Sequence, residues 1–148
     1  MIHMHNLCKL LQLGWNVIVF EWKNPTVQLL GRWQPWHDGH TELFKRALAK
    51  TGQVIIMCRD VQGVDGGMGN DDNPWDYYDV KKNIVEGLAK HGYTERKEYV
   101  VCKVPNIVDI TYGRKVGYTF SEEVLDEDTQ KISATGIRAE MREKGELN

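Results

Sequence analysis

Apolar residues along this chain fall into two alternating patterns, short continuous runs and stripes at three- and four-residue spacing. Val27, Leu29 and Leu30 form the first run, expected to be a strand in the middle of a parallel sheet. Leu43, Phe44, Ala47 and Leu48 then recur at helical spacing. Glu42, Lys45, Arg46 and Lys50 fall on the opposite side, which predicts a helix from about Asp38 to Lys50, ended by Gly52. Residues 53–58 are a second apolar run. A strand, a helix and a strand of these lengths imply a right-handed crossover and a parallel pair. Tyr77, Val80, Ile84 and Leu88 predict a second helix over residues 76–91, with Pro74 near its start and Gly92 after its end. Residues 99–104 read as a third strand and residues 134–144 as a last helix closed by Gly145, with Ile137 and Met141 on one face. Two weaker strands are expected, at residues 15–22 before a turn at 23–25, and at residues 116–120.

The alternation of strand and helix predicts an α/β domain with a doubly wound parallel sheet. Residues 1–25 precede the pattern as an extension of unassigned role, and residues 26–148 make up the domain. A chain of 148 residues is long enough for one sizeable core. A net charge of −2 supplies no basic field, so nucleic acid is not expected as a partner. No apolar run is long enough to span a bilayer, and residues 1–13 lack the pattern of a signal peptide. A cytoplasmic protein without a membrane partner is expected, and a homo-oligomer is left open. Cys8, Cys58 and Cys102 match no zinc or CxxC spacing, so they read as small apolar residues in a reducing compartment. No metal site is expected.

Candidate chemistry gathers at two helix starts. His37 and His40 stand two residues apart where the first helix begins, and free N–H groups and the helix dipole there favour an anion. At the last helix Thr135 is the expected N-cap, which puts Arg138 in the first turn. A cation there is disfavoured by about 0.3–1 kcal/mol. A polyanion at that helix end removes the anomaly, and two such helix starts point to a triphosphate site. Arg59 and Asp60 end the second strand and Asn106 follows the third, at the sheet edge where open α/β sheets bind ligands. For Arg59 and Asp60 a surface ion pair is the other reading. The Gly-rich residues 62–73 read as a mobile loop or as a lid over an acceptor.

These residues also carry a resemblance. Residues 37–40 (HDGH) resemble the HxGH signature of the nucleotidylyltransferase superfamily, and residues 132–138 (ISATGIR) resemble its ISxTxIR signature. The longer GRWQPWH, residues 31–37, is similar to the GRFQPFH form of archaeal-type nicotinamide mononucleotide adenylyltransferases, with Trp replacing Phe twice. Asn73, Pro74 and Trp75 resemble the NPF element of those enzymes. Residues 112–117 (YGRKVG) faintly resemble the GRDHAG segment of ATP sulfurylases, without its Asp and His.

The resemblance implies a Rossmann-like nucleotidyltransferase fold and transfer of a nucleotidyl group, AMP favoured, to a small anionic, phosphate-bearing acceptor. ATP would bring Mg2+ on its phosphates. His37, His40 and Arg138 would be the catalytic residues. Gly31, Arg32, Trp33, Gln34, Pro35, Gly39, Ile132, Ser133 and Thr135 would bind the nucleotide. Gly39 would leave room for phosphates or adenosine, and Ser133 and Thr135 would hold the β- and γ-phosphates. On the acceptor side Arg59, Asp60, Trp75, Asn106, Tyr112 and Arg114 are the candidates, with Trp33, Trp36 and Trp75 able to stack on a ring or to pack the core. The alternatives are a cytidylyltransferase, a sulfurylase-like enzyme, and a nucleotide-binding module without turnover.

Overall fold

The computed structural model describes residues 19–64, 72–114 and 117–147. They form a mixed α/β arrangement of three strands and four helices: β1 (Val27–Gly31), α1 (Asp38–Thr51), β2 (Val54–Arg59), α2 (Tyr77–Ala89), β3 (Tyr99–Val104), α3 (Glu127–Gln130) and α4 (Ala134–Glu143). The sheet is parallel, in the order β1-β2-β3. Its register aligns Val27 with Val54 and Tyr99, and Leu29 with Ile56 and Val101.

One face of this sheet makes the core. Val54, Ile56 and Cys58 alternate as the buried positions of β2. With Leu29 and Tyr99 they meet Phe44 and Ala47 of α1 and Val80, Ile84 and Leu88 of α2. Both crossover helices therefore lie on the same face and touch each other. Phe44, Ile56, Ile84 and Leu88 are fully buried, each contributing about 1.5–3 kcal/mol relative to exposure. Leu30, Ile55, Met57, Val100, Cys102 and Val104 occupy the other face and are only half-buried. The described unit is a three-stranded parallel sheet with both crossover helices on one face. Among the described residues no strand continues beyond β1.

Gly52 ends α1 at φ 87°, a conformation that favours glycine, and its N–H donates to the Leu48 carbonyl at 2.7 Å. Helix α2 is shorter than expected. It starts after Asp76, whose Oδ1 accepts from the Asp79 N–H at 2.8 Å, and stops at Ala89, with a turn carrying the chain to Gly92.

Two expected strands are corrected. Of residues 15–22, those up to 18 lie outside the described residues, and 19–22 form no strand. Their backbone is satisfied elsewhere. The Phe20 N–H donates to the Arg96 carbonyl at 2.8 Å, and the buried Gln53 amide both accepts from the Glu21 N–H (3.0 Å) and donates to its carbonyl (2.6 Å). Of residues 116–120, Val116 lies outside the described residues, and 117–120 are exposed coil without a ladder partner. Cys58 is buried, which pushes its thiol up to about 12, helped by Cys102 and opposed by Lys81. Such a thiol is unreactive at neutral pH. Cys8 lies outside the described residues. No helix among the described residues is long and apolar enough to cross a membrane.

The chain returns to the sheet's C-terminal edge through charges on α1. Glu123 meets Lys50 at 2.6 Å and Arg46 at 3.7 Å, and Arg46 also donates to the Val124 carbonyl at 2.8 Å. That tie brings α3 against α1 and leads α4 over the turn that follows β1.

Candidate functional site

The turn between β1 and α1 is built around tryptophan. Trp33 has φ 53°, unusual for a bulky residue, and its indole folds back over Gly31 while its N–H donates to the Met57 carbonyl at 3.0 Å. A Cβ on Gly31 would lie 2.8 Å from that indole, so glycine is required here by close approach. Trp36 is also buried, and its N–H donates to Thr41 Oγ1 at 2.9 Å. A non-glycine residue held at positive φ marks strain of about 1–3 kcal/mol, which clusters at functional sites.

His37 is the N-cap of α1, in place of the usual Ser, Thr, Asp or Asn. Its Nδ1 accepts from the Gly39 N–H at 3.0 Å, and His40 Nδ1 accepts from the His37 N–H at 3.2 Å. The imidazoles close a reciprocal capping box and stack at 3.7 Å, with Trp33 edge-on to His40 at 4.8 Å. Because each Nδ1 is an acceptor, each neutral ring carries its proton on Nε2. Neither Nε2 has a hydrogen-bond partner among the described residues. A Cβ on Gly39 would lie 2.8 Å from the His37 ring, so a side chain there would have to displace that imidazole.

Burial, reinforced by His37, pulls the His40 pKa down to about 3. His37 is lowered as well, by burial against the opposing pull of Asp38. With both pKa values lowered, both rings are uncharged N–H donors at neutral pH. A consequence for stability follows. The unfolded chain takes up the His40 proton near pH 6.5 and the folded chain only near 3, so stability is full above 6.5 and falls as pH drops through that window. At about 1.4 kcal/mol per unit, His40 should withdraw about 1–2 kcal/mol by pH 5. Denaturant titration of the wild type and His40→Asn at both pH values checks this. An equal loss in both proteins would refute it.

The second expected cap is corrected. Ser133, not Thr135, is the N-cap of α4: its backbone is extended and its Oγ accepts from the Gly136 N–H at 3.0 Å. Arg138 accordingly lies in the second turn, away from the unfavourable end of the dipole. The residue is buried, at 3% exposure. It donates to the Gln34 carbonyl at 2.5 Å, to Asp72 Oδ1 at 3.1 Å and to Thr135 Oγ1 at 3.4 Å. Burial lowers its pKa, with Asp72 opposing and the nearby Arg32 and Arg142 adding to the shift.

Two cavities flank this turn. The smaller, about 160 Å3, is lined by Gly31, Arg32, Trp33, Gln34 and His40 from the β1–α1 side and by Ala134 and Arg138 from α4. It brings together groups from both ends of the described chain. The larger, about 520 Å3, has an indole wall of Trp33, Trp36 and Trp75, an apolar side of Val80, Ile137 and Met141, and a rim including Asp79 and Asn83 of α2. Trp33 belongs to both, and α4 lies across them.

The other candidates divide. Pro35 and Trp75 line the larger cavity only. The Gln34 amide is committed to the backbone of Trp75, donating to its carbonyl at 2.9 Å and accepting its N–H at 3.0 Å, which leaves only its lining of the smaller cavity. Ile132 is half-buried and lines neither cavity, and Ser133 and Thr135 are exposed beside the smaller one. Arg59 donates to Asn106 Oδ1 at 2.7 Å along the C-terminal edge of β2 and β3, and Asp60 is exposed beside them. Tyr112 and Arg114 are exposed, and no described contact joins them to either cavity.

Two residues not singled out as ligand-binding hold the site together. Asp72 pairs with Arg138. Asn73, buried at 1%, accepts from Arg32 Nη1 at 3.4 Å and donates to the Val64 carbonyl at 3.2 Å. Residues 65–71 of the expected lid lie outside the described residues. The signal for Asp72 was its place at the end of an acidic, Gly-rich stretch, but nothing in the spacing pairs it with an arginine of the last helix.

A scan against protein-family models and a search of curated proteins return no match to this chain.

Proposed function

We propose that the chain is a nucleotidyltransferase of Rossmann-like type, moving a nucleotidyl group, AMP favoured, from a nucleoside triphosphate to a phosphate-bearing acceptor. One observation carries the reading: His40 and Arg138, from the HxGH-like and ISxTxIR-like stretches, line one cavity with Arg32. The parallel strand–helix unit beneath it supports the fold type, because a doubly wound sheet is built from such units and binds ligands at the strands' C-terminal edge, where this cavity lies.

The chemistry needs no protein nucleophile. An acceptor phosphate oxygen attacks the α-phosphorus in line, a new P–O bond forms, and the bond to the bridging oxygen breaks to release pyrophosphate. Preorganised donors facing the developing charge would supply most of the acceleration. In this reading the His40 Nε2–H donates to an α-phosphate oxygen, with the stacked His37 holding the ring in place. Arg32 and Arg138 meet the departing pyrophosphate. Neutral imidazoles suit this task, because they enter the site without repelling the two guanidinium groups. Mg2+ arrives as part of the triphosphate substrate and keeps most of its waters. The described residues group no three His, Cys, Asp or Glu that would hold it alone. The indole-walled cavity beyond Trp33 is of a size that takes a flat ring, of base or acceptor, by stacking.

Pyrophosphate release from a panel of the four nucleoside triphosphates, each with nicotinamide mononucleotide, a phosphorylated sugar alcohol and sulfate, tests the class and its variants together. Release with ATP and the mononucleotide is expected. Release with CTP or with sulfate would move the reading to a cytidylyltransferase or a sulfurylase-like enzyme. Triphosphate binding without release from any pair would leave only a binding module.

A further inference from the structure

Six of the nine large hydrophobic residues that stand exposed among the described residues lie on one stretch: Val108 (83% exposed), Ile110, Tyr112, Tyr118, Phe120 and Val124. The stretch follows β3, and its described residues lie in no helix or strand. The Thr111 hydroxyl donates to the Asp109 carboxylate, so those two side chains lie together, and Val108, Ile110 and Tyr112 alternate with them along the sequence. That is the period-2 pattern of a strand with one apolar face. Among the described residues, no backbone group of residues 108–114 takes part in a backbone–backbone hydrogen bond. Tyr112 stacks on Phe120 at 5.4 Å and 25°, which brings those two exposed rings together. The stretch is anchored at its far end through Glu123 and Val124 on α1.

With about 150–250 Å2 for each aromatic side chain, these six residues leave on the order of 600 Å2 of mostly apolar surface in water. That is the upper end for a lone monomer and approaches the roughly 800 Å2 that each partner gives a standard interface. We infer that residues 108–112 pair with the same residues of a second copy of this chain, as an antiparallel ribbon centred on Ile110 across a two-fold axis.

A second copy is favoured by the register. Pairing about Ile110 sets Val108 opposite Tyr112 and Asp109 opposite Thr111. Each apolar residue meets an apolar one, and the two carboxylates do not face each other. A two-fold contact of this kind closes on itself, so assembly stops at a dimer. The free N–H and C=O groups of the stretch find partners, as an unpaired strand edge requires. The contact is separate from the cavity of His40 and Arg138, and the inference stands whether or not the chain transfers nucleotides.

Sedimentation velocity of the full chain from micromolar to sub-millimolar concentration tests this. A reversible dimer is expected, and Ile110→Asp should weaken it by about tenfold or more with far-UV circular dichroism unchanged. Ile110→Cys should give, on mild oxidation, a disulfide linking position 110 of both copies, found by peptide mapping. Val124→Cys should not. A monomer throughout the range would overturn the inference. So would a dimer that Ile110→Asp leaves intact, or a monomer whose amides at 108–112 resist hydrogen exchange because its own chain covers them.

Discussion

His40→Asn should lower turnover by roughly 10²–10³, the scale for removing one preorganised donor to a developing oxyanion. Asparagine is the informative replacement. Its side-chain oxygen can stand where Nδ1 stands and accept the His37 N–H, now at 3.2 Å, so the cap on α1 survives while the Nε2 donor is gone. The melting temperature at pH 7 should therefore change little and triphosphate affinity only modestly. Pyrophosphate release under saturating substrate reads the effect directly. Unaltered turnover in the folded variant would remove His40 from the chemistry and leave it a capping residue packed on Trp33.

Arg138→Ala should be the most destabilising single change at the site, by about 3–5 kcal/mol, because it strands a carboxylate and a carbonyl in a dry place. The side chains of Arg138 and Asp72 are 4% and 14% exposed. The Gln34 carbonyl, 104 positions away in the chain, loses its donor at the same time. The same substitution should weaken triphosphate binding by about 10- to 100-fold, since a hydrogen bond to a charged group is worth about 1.5–3 kcal/mol. Stability and binding can be separated by replacing the pair with apolar groups of similar volume. Buried ion pairs replaced in that way are often neutral in stability. Asp72→Leu with Arg138→Met should thus regain most of the lost denaturation free energy and still fail to bind triphosphate. If calorimetry finds wild-type affinity in the double variant, Arg138 is a structural residue alone.

The outlines of the fold could be read in advance where one local rule dominated. The strand at residues 99–104 was expected at its observed bounds because its apolar run is continuous, and α1 within one residue because its apolar spacing and the glycine after it agree. Local rules failed where two of them competed. Ser133 and Thr135 are both good caps, and only the path of the chain into α4 decides that Ser133 takes the extended backbone and Thr135 turns its hydroxyl to Arg138. Residues 19–22 have a strand's composition, yet a strand needs a neighbour, and the backbone there is taken by Gln53 and by the 94–98 turn. Residues 108–112 show the reverse: a strand's alternation with no sheet to join.

The candidate site was legible as a set of residue types and not as an arrangement. Two imidazoles at a helix start and an arginine near another were visible from spacing. Their charge state was not, because it depends on burial between Trp33, Trp36 and the neighbouring ring, which lowers His40 to about 3. The purpose of Gly31 was equally hidden, since the space it leaves is claimed by the indole of a residue in left-handed conformation.

By itself the sequence determined the order of the three sheet strands and the three longer helices, since helix and strand periodicity are properties of neighbours along the chain. It also determined which chemical groups stand at the ends of those elements. Tertiary structure alone decided that Asp72 neutralises Arg138, that His40 and Arg138 share a cavity, and that a second, indole-walled cavity adjoins it. Such contacts join residues far apart in the chain, and their energies come from burial and desolvation, which exist only once the elements have packed.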